Sequence, residues 1–179
     1  RLPIAALRET VTAVRALLRG ERVDVDGKVV SLSDAQLTFK PVRDIIPTYF
    51  ATHGAQVTKL AGEVADGVLI ANTLLPRMLS FYLDRIGEGM KRVGRTFEDF
   101  DFGLRVEVCI SSDYEAAFTV MRRRMAARLI GQYPHWDYLS ELGVTLPPEF
   151  IEIAAKKDGR LPDAAAAAMP RKLVDYTVL

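Results

Sequence analysis

Between Phe50 and Val57 the chain reads Ala51-Thr52-His53-Gly54-Ala55-Gln56. An apolar run precedes this stretch, and residues with helical spacing follow it. A helix that opens there presents backbone N–H groups with no intrahelical partner, together with the positive end of its dipole. That combination binds anions. Ala51, Gly54 and Ala55 are small enough to let a phosphate approach the backbone. Ala51, Thr52, His53, Gly54, Ala55 and Gln56 are therefore the candidate phosphate contacts. A glycine between strand and helix is also ordinary turn chemistry, and the residues alone leave both readings open.

Other residues carry weaker signals. Asn72 and Thr73 follow the next apolar run and could reach a bound substrate or ring, and Arg77 nearby could pair with an anionic substrate group. His53 could hydrogen-bond a phosphate or act as an acid; for catalysis the plainer reading, an exposed loop histidine, is preferred. His135 sits among Tyr133 and Trp136, where packing explains it. Asp66-Gly67 reads as a turn, Gly67 giving the permissive backbone and Asp66 a local bond. Glu107 lies mid-strand, and a buried carboxylate there needs a partner. Arg122, Arg123, Arg124 and Arg128 read as a solvated helix face, as do the arginines of the first helix.

Composition bounds these readings. The chain has 179 residues, 49% of them hydrophobic and 26% charged, so it has the apolar material for a core and is not intrinsically disordered. The 24 basic and 23 acidic residues nearly cancel, which gives no general pull toward nucleic acid or anionic lipid. One cysteine, Cys109, and two histidines allow no internal disulfide and argue against a structural zinc site. No apolar stretch reaches the ~18 residues of a membrane span, and no secretion signal is expected, since no basic segment followed by an apolar one stands at the start of the sequence. The cytoplasm is the expected compartment.

The elements that must position these groups follow from periodicity. Ile4, Leu7, Val11, Val14 and Leu18 form one stripe of a helix over residues 4–18, with Pro3 at its start and Gly20 beyond its end. Val23 and Val25, an Asp26-Gly27 turn, then Val29, Val30 and Leu32 predict a hairpin. Residues 33–40 are expected to be irregular, with a short edge strand at Leu37 and Phe39. Residues 46–51 predict a strand, 55–64 a helix and 68–71 a strand, joined by minimal loops. Such a unit pairs its strands in parallel. A helix over 76–93 ending at Gly94, a strand over 102–110, and a helix capped by Asp113 continue the pattern. Short helices over 133–160, a helical run at 164–168 and a closing strand over 173–179 complete it.

Strands alternating with helices make an α/β chain with a parallel sheet. An open doubly wound sheet and a (β/α) barrel are both possible closures. Read this way the chain starts within a helix and stops on a strand, and a complete barrel runs to roughly 250 residues. It is expected to be about the second half of a barrel, four strands plus a helical insert, with residues 1–179 the C-terminal part of one domain.

The strings ALRETVTAVRALLRGERVDVDGKVV and LTFKPVRDIIPTYFATHGAQVTKLAGEVADGVLIAN resemble the bacterial-luciferase-like superfamily. Within it they are most similar to the coenzyme F420-dependent reductases, including methylene-tetrahydromethanopterin reductase. The resemblance covers essentially the whole chain. Its most specific piece is a strand, a small-small-x-Gly loop and a helix ending in LAGEVADGV, over residues 46–68. It implies an eight-stranded parallel barrel with FMN or a deazaflavin at its mouth, and it too places cofactor contacts on the loop at 51–56. His53 departs from the small or polar residue usual there. The family's first half, and its closing Gly-Thr-Pro segment and helix, have no counterpart here.

The function this implies is hydride transfer between coenzyme F420 and a small organic substrate, the protein orienting the ring, holding its phosphate and excluding water. An FMN-dependent monooxygenase is the alternative cofactor reading. A non-catalytic barrel subunit or binding domain is the alternative of another class. The proton donor is expected in the absent half, so no catalytic residue is assigned. The expected partners are a small-molecule substrate and a second copy in a homodimer that completes the sheet, with no nucleic acid, membrane or metal.

Overall fold

Pro3 stands in the first turn of α1 (Pro3–Leu18), where its missing N–H leaves no bond unmade. Gly20, at a φ of 82°, turns the chain beyond the helix. The computed structural model describes residues 2–43, 45–71, 76–105, 107–141, 143–156 and 162–175. The stripe of α1 is only partly covered: Ile4, Val11 and Leu18 are half-buried and Leu7 and Val14 are exposed, while Ala13, beside the stripe, is buried.

The hairpin forms as β1 (Val23–Asp26) and β2 (Ser31–Ala35), paired antiparallel. Its connection is longer than the two-residue turn predicted, and β2 starts at Ser31 rather than Val29. The cause is Glu9 on α1, whose carboxylate accepts the backbone N–H groups of Lys28, Val29 and Val30, each at 2.9 Å. Donors engaged there are lost to a strand ladder. The same three bonds hold the Glu9 carboxyl below its ordinary range. β2 extends the ordered ladder to Ala35, and Leu37 and Phe39 form no strand.

The strand–helix–strand unit forms as expected. It comprises β3 (Tyr49–Ala51), α2 (Ala55–Val64) and β4 (Gly67–Ala71). β3 and β4 are parallel, with Tyr49, Phe50 and Ala51 opposite Gly67, Val68 and Leu69. β3 is shorter than the apolar run that announced it. Pro47, with no N–H to give a ladder, stays outside. α3 (Pro76–Arg92) follows, and Gly94 ends it at a φ of 69°. A 3-10 turn (Phe97–Asp99) leads to β5 (Asp101–Arg105), and the sheet order is β3-β4-β5.

Two strand expectations need correction. The strand predicted over 102–110 ends at Arg105. Val108 and Ile110 are exposed instead, and Val106 lies outside the described residues. The closing strand predicted from Leu173 is replaced by a helix, α8 (Arg171–Asp175), and 176–179 lie outside the described residues. Val174 is buried on α8. Arg171 grips Glu115 at 2.8 and 3.2 Å and lies 4.3 Å over the Phe118 ring. These tertiary contacts outweigh a strand propensity that is itself context-dependent.

The chain divides into two compact units. The first comprises Arg1–Ile70 and Tyr82–Gly103. Its core is Leu60, Ala61, Val68, Ile70, Ile86 and Met90, all fully buried. Two glycines bring α2 and α3 into backbone contact. A Cβ on Gly62 would stand 2.2 Å from the Ile86 carbonyl oxygen, and one on Gly89 would stand 2.0 Å from that of Lys59.

The second unit comprises Ala71–Phe81 and Leu104–Leu179. It gathers α6 (Pro148–Ala155), α7 (Pro162–Ala168) and α8 around the long helix α4 (Tyr114–Gly131). Asp113 caps α4 as expected, accepting the N–H groups of Glu115 and Ala116 at 2.9 and 3.2 Å. After the cis Tyr133–Pro134 bond comes α5 (Asp137–Glu141). Trp136 donates to the Leu129 carbonyl at 2.8 Å and packs on buried Phe150. The aromatic residues beside His135 thus serve packing, as read.

Candidate functional site

β3 buries Phe50 and leaves Ala51 exposed at its carboxyl end. From there Thr52, His53 and Gly54 turn the chain into α2. Two threonines fix the turn. The Thr52 hydroxyl accepts the Gly54 N–H at 3.2 Å, and the Thr58 hydroxyl donates to the Gly54 carbonyl at 3.0 Å. The Thr58 backbone N–H reaches that same carbonyl at 2.9 Å. Thr58 is fully buried, and the sequence reading passed over it. Its only signal was a hydroxyl on an otherwise apolar helix face.

The consequence lies in what remains open. Among the described residues no side chain caps α2, so the N–H groups of Ala55, Gln56 and Val57, which a helix start leaves without intrahelical partners, point out of the helix end. Gly54 is exposed and extended, at φ −77° and ψ 132°, and a Cβ there would meet nothing within 4 Å. The backbone at this corner is open to an approaching group.

The structure therefore gathers all six candidate residues of the loop, Ala51 to Gln56, on one helix entrance. His53 is half-buried, with Nδ1 shut off from solvent, and is not the exposed histidine expected. Asn72 and Thr73 lie outside the described residues. Arg77 lies in the first turns of α3, and its side chain is likewise outside them.

The other end of the same strands is built for stability. Asp66 does not bond its own turn. Its carboxylate accepts the Thr48 N–H at 2.7 Å and meets Arg15 at 2.5 Å. Gly67 is required there because a Cβ would stand 2.5 Å from the Tyr49 ring and 2.7 Å from the Asp101 carbonyl oxygen. This is the structural role assigned to Asp66-Gly67, with different partners. Arg15 is thereby not merely solvated, nor is Arg8, which pairs with Glu63.

Glu107 has the partners that its burial demands. Arg124 donates to it at 3.0 Å, Arg128 is bonded more closely, and Arg105 approaches at 3.4 Å. Burial alone would raise its carboxyl, but the hydrogen bonds from Arg124 and Arg128 win and hold it below the ordinary range. The basic run of α4 is thus engaged rather than freely solvated. Among the described residues no group of three metal-ligating side chains comes together, and no helix is long and apolar enough to cross a membrane.

Known proteins carry the same pattern. A family model described as luciferase-like monooxygenase matches residues 1–179. The 5,10-methylenetetrahydromethanopterin reductase of Methanolobus tindarius is 32% identical over 128 residues, 72% of this chain and 36% of that protein. An F420-dependent glucose-6-phosphate dehydrogenase of Beutenbergia cavernae is 31% identical over 160 residues, 84% of this chain and 43% of that protein. The solved coenzyme F420-dependent tetrahydromethanopterin reductase of Methanopyrus kandleri superposes with a TM-score of 0.78 at 24% identity, covering 98% of this chain and 50% of its own. An F420-dependent secondary alcohol dehydrogenase superposes with a TM-score of 0.67 at 18% identity. The α/β fold is the one these barrel enzymes have, and the chain spans about half their length or less.

Proposed function

The chain belongs to the luciferase-like monooxygenase family, and from that premise we propose an F420-dependent oxidoreductase that transfers a hydride between the deazaflavin and a small organic substrate. The open entrance of α2 carries this reading. Three N–H groups with no partner among the described residues, a dipole of the right sign and an unobstructed Gly54 fit a phosphate. The names of the relatives, reductases and dehydrogenases that depend on F420, support the choice of cofactor.

The residues of this chain would divide the work as follows. Ala55, Gln56 and Val57 would hold the phosphate by backbone N–H groups, and Gly54, its own N–H engaged by Thr52, would leave the approach to them clear. Ala51 leaves room beside them, while Thr52 and Thr58 keep the Gly54 peptide in place. His53 stands beside the same entrance and would hydrogen-bond the phosphate. Bound there, F420 supplies the two-electron redox chemistry that no side chain offers. Asn72, Thr73 and Arg77 are proposed to meet the substrate, Arg77 through an anionic group. We further place residues 1–179 in the C-terminal part of one barrel domain, in a homodimer.

Titration of the protein with F420 and with FMN, followed by fluorescence and absorbance, tests the reading. F420 is expected to bind saturably and more tightly than FMN. Gly54→Val should weaken it at least tenfold while costing no more than about 1 kcal/mol of stability, the loss of a favourable N-cap, since its Cβ meets nothing. A preference for FMN would favour a monooxygenase. Binding of neither, or unchanged affinity in Gly54→Val, would overturn the proposal and favour a non-catalytic chain.

A further inference from the structure

Arg122, Arg123, Arg124 and Arg128 stand on two adjoining turns of α4, yet they are used differently. Arg122 closes the end of α7, donating to the Ala167 and Met169 carbonyls at 2.7 and 2.6 Å. Arg123 meets Asp163 at 3.1 Å. Arg124 and Arg128 both turn to Glu107, where Arg105, the last residue of β5, joins them. Three guanidiniums around one carboxylate leave two positive charges over.

Neutralising Glu107 requires one arginine, and Arg128, whose side chain is only 25% exposed, meets that need. Arg124 binds Glu107 through Nε alone, so its two terminal nitrogens have no partner among the described residues, and its side chain is 59% exposed. Arg105 touches Glu107 only at 3.4 Å and is 56% exposed. Glu107 itself is 14% exposed. A nearly buried carboxylate thus orients guanidiniums whose free edges face solvent. Such planar forks match carboxylate and phosphate oxygens, and like charges this close repel unless a second anion joins them. The cluster follows the carboxyl end of β5, the end at which α/β barrels keep their ligand groups.

We propose that Arg105, Arg124 and Arg128, arranged by Glu107, form a binding site for the carboxylate or phosphate of a small molecule. Glu107 is a positioning residue in it. The inference does not depend on the F420 reading.

The test is NMR of the arginine Nε–Hε groups, titrating the protein with inorganic phosphate and separately with acetate at constant ionic strength. Saturable shifts of the Arg105 and Arg124 signals are expected, at least tenfold weaker in binding for Arg124→Gln. Saturation by phosphate alone, by acetate alone or by both supports the site and sorts the chemistry it takes. Glu107→Gln separates positioning from bulk charge. Removing a negative charge would by itself tighten anion binding, whereas loss of the orienting carboxylate should weaken it several-fold. Arg124→Gln changes an exposed side chain and keeps the test valid if the Glu107 variant fails to fold. Linear shifts without saturation, or equal binding in wild type and Arg124→Gln, would show an ion-pair network and overturn the proposal.

Discussion

At the level of single residues, the loop works because two hydroxyls remove the alternatives for Gly54. Its N–H goes to Thr52 and its carbonyl to Thr58, which leaves the next three donors for something outside the chain. Thr58 is the sharper test because it is fully buried. Thr58→Val keeps the volume and removes the donor, and should cost about 1 kcal/mol of stability, the usual worth of one hydrogen bond. Thr58→Ser keeps the donor and loses a methyl, at a similar cost. Stability in urea would not separate the two. F420 affinity should: the valine variant is expected to lose several-fold and the serine variant to stay near wild type. Equal affinities would mean that the Gly54 peptide needs no such support.

At the scale of elements, the contact between α2 and α3 rests on Gly62 and Gly89, each of which sets its helix against the other's carbonyls. Alanine is the better helix former by ~1 kcal/mol, so Gly62→Ala on a free helix would stabilise. Here its Cβ would stand 2.2 Å from the Ile86 oxygen, and the helices must part. A net loss of about 2–3 kcal/mol is expected, the range for overpacked cores, read as a lower urea midpoint at unchanged slope. Gly89→Ala should behave alike, whereas Gly94→Ala should act only through its positive φ. What could be read from the sequence divides along the same line. α2, α3 and the cap of α4 were legible because their periods and caps are local. The parallel pairing followed from short loops alone. Glu9 reaching the hairpin, Arg8 reaching Glu63, and Arg171 reaching Glu115 and Phe118 span 19 to 56 residues, and no local pattern announces them. The strand predicted from Leu173 gives way to α8 over residues 173–175 for that reason. The loop at 51–56 was legible as a corner but not as a braced one, since its brace lies on the helix beyond.

At the scale of the whole molecule, each unit holds a carboxylate ringed by arginines, and this sets its response to acid. Glu63, with its side chain 7% exposed, lies between Arg8 and Arg92, as Glu107 lies among Arg105, Arg124 and Arg128. Burial would raise the Glu63 carboxyl, but its hydrogen bonds from Arg8 and Arg92 outweigh that and lower it. Both groups therefore titrate below the ordinary value of 4.5 in the folded protein. Between that value and the depressed one the unfolded chain binds more protons, so stability falls as pH falls. The contribution is complete above about pH 5 and lost through the acid range below the ordinary carboxylate value. Glu63→Gln and Glu107→Gln should each cost about 1 kcal/mol at pH 7, since their arginine partners are partly or largely solvated. The two residues share no partner, so the double variant should be additive within about 0.5 kcal/mol. Urea unfolding from pH 7 to pH 3 checks the sign: the gap between the double variant and wild type should close as pH falls. A gap that keeps its full size at pH 3 would mean that neither carboxylate takes up its proton over this range, and that these two groups do not set the acid response of either unit.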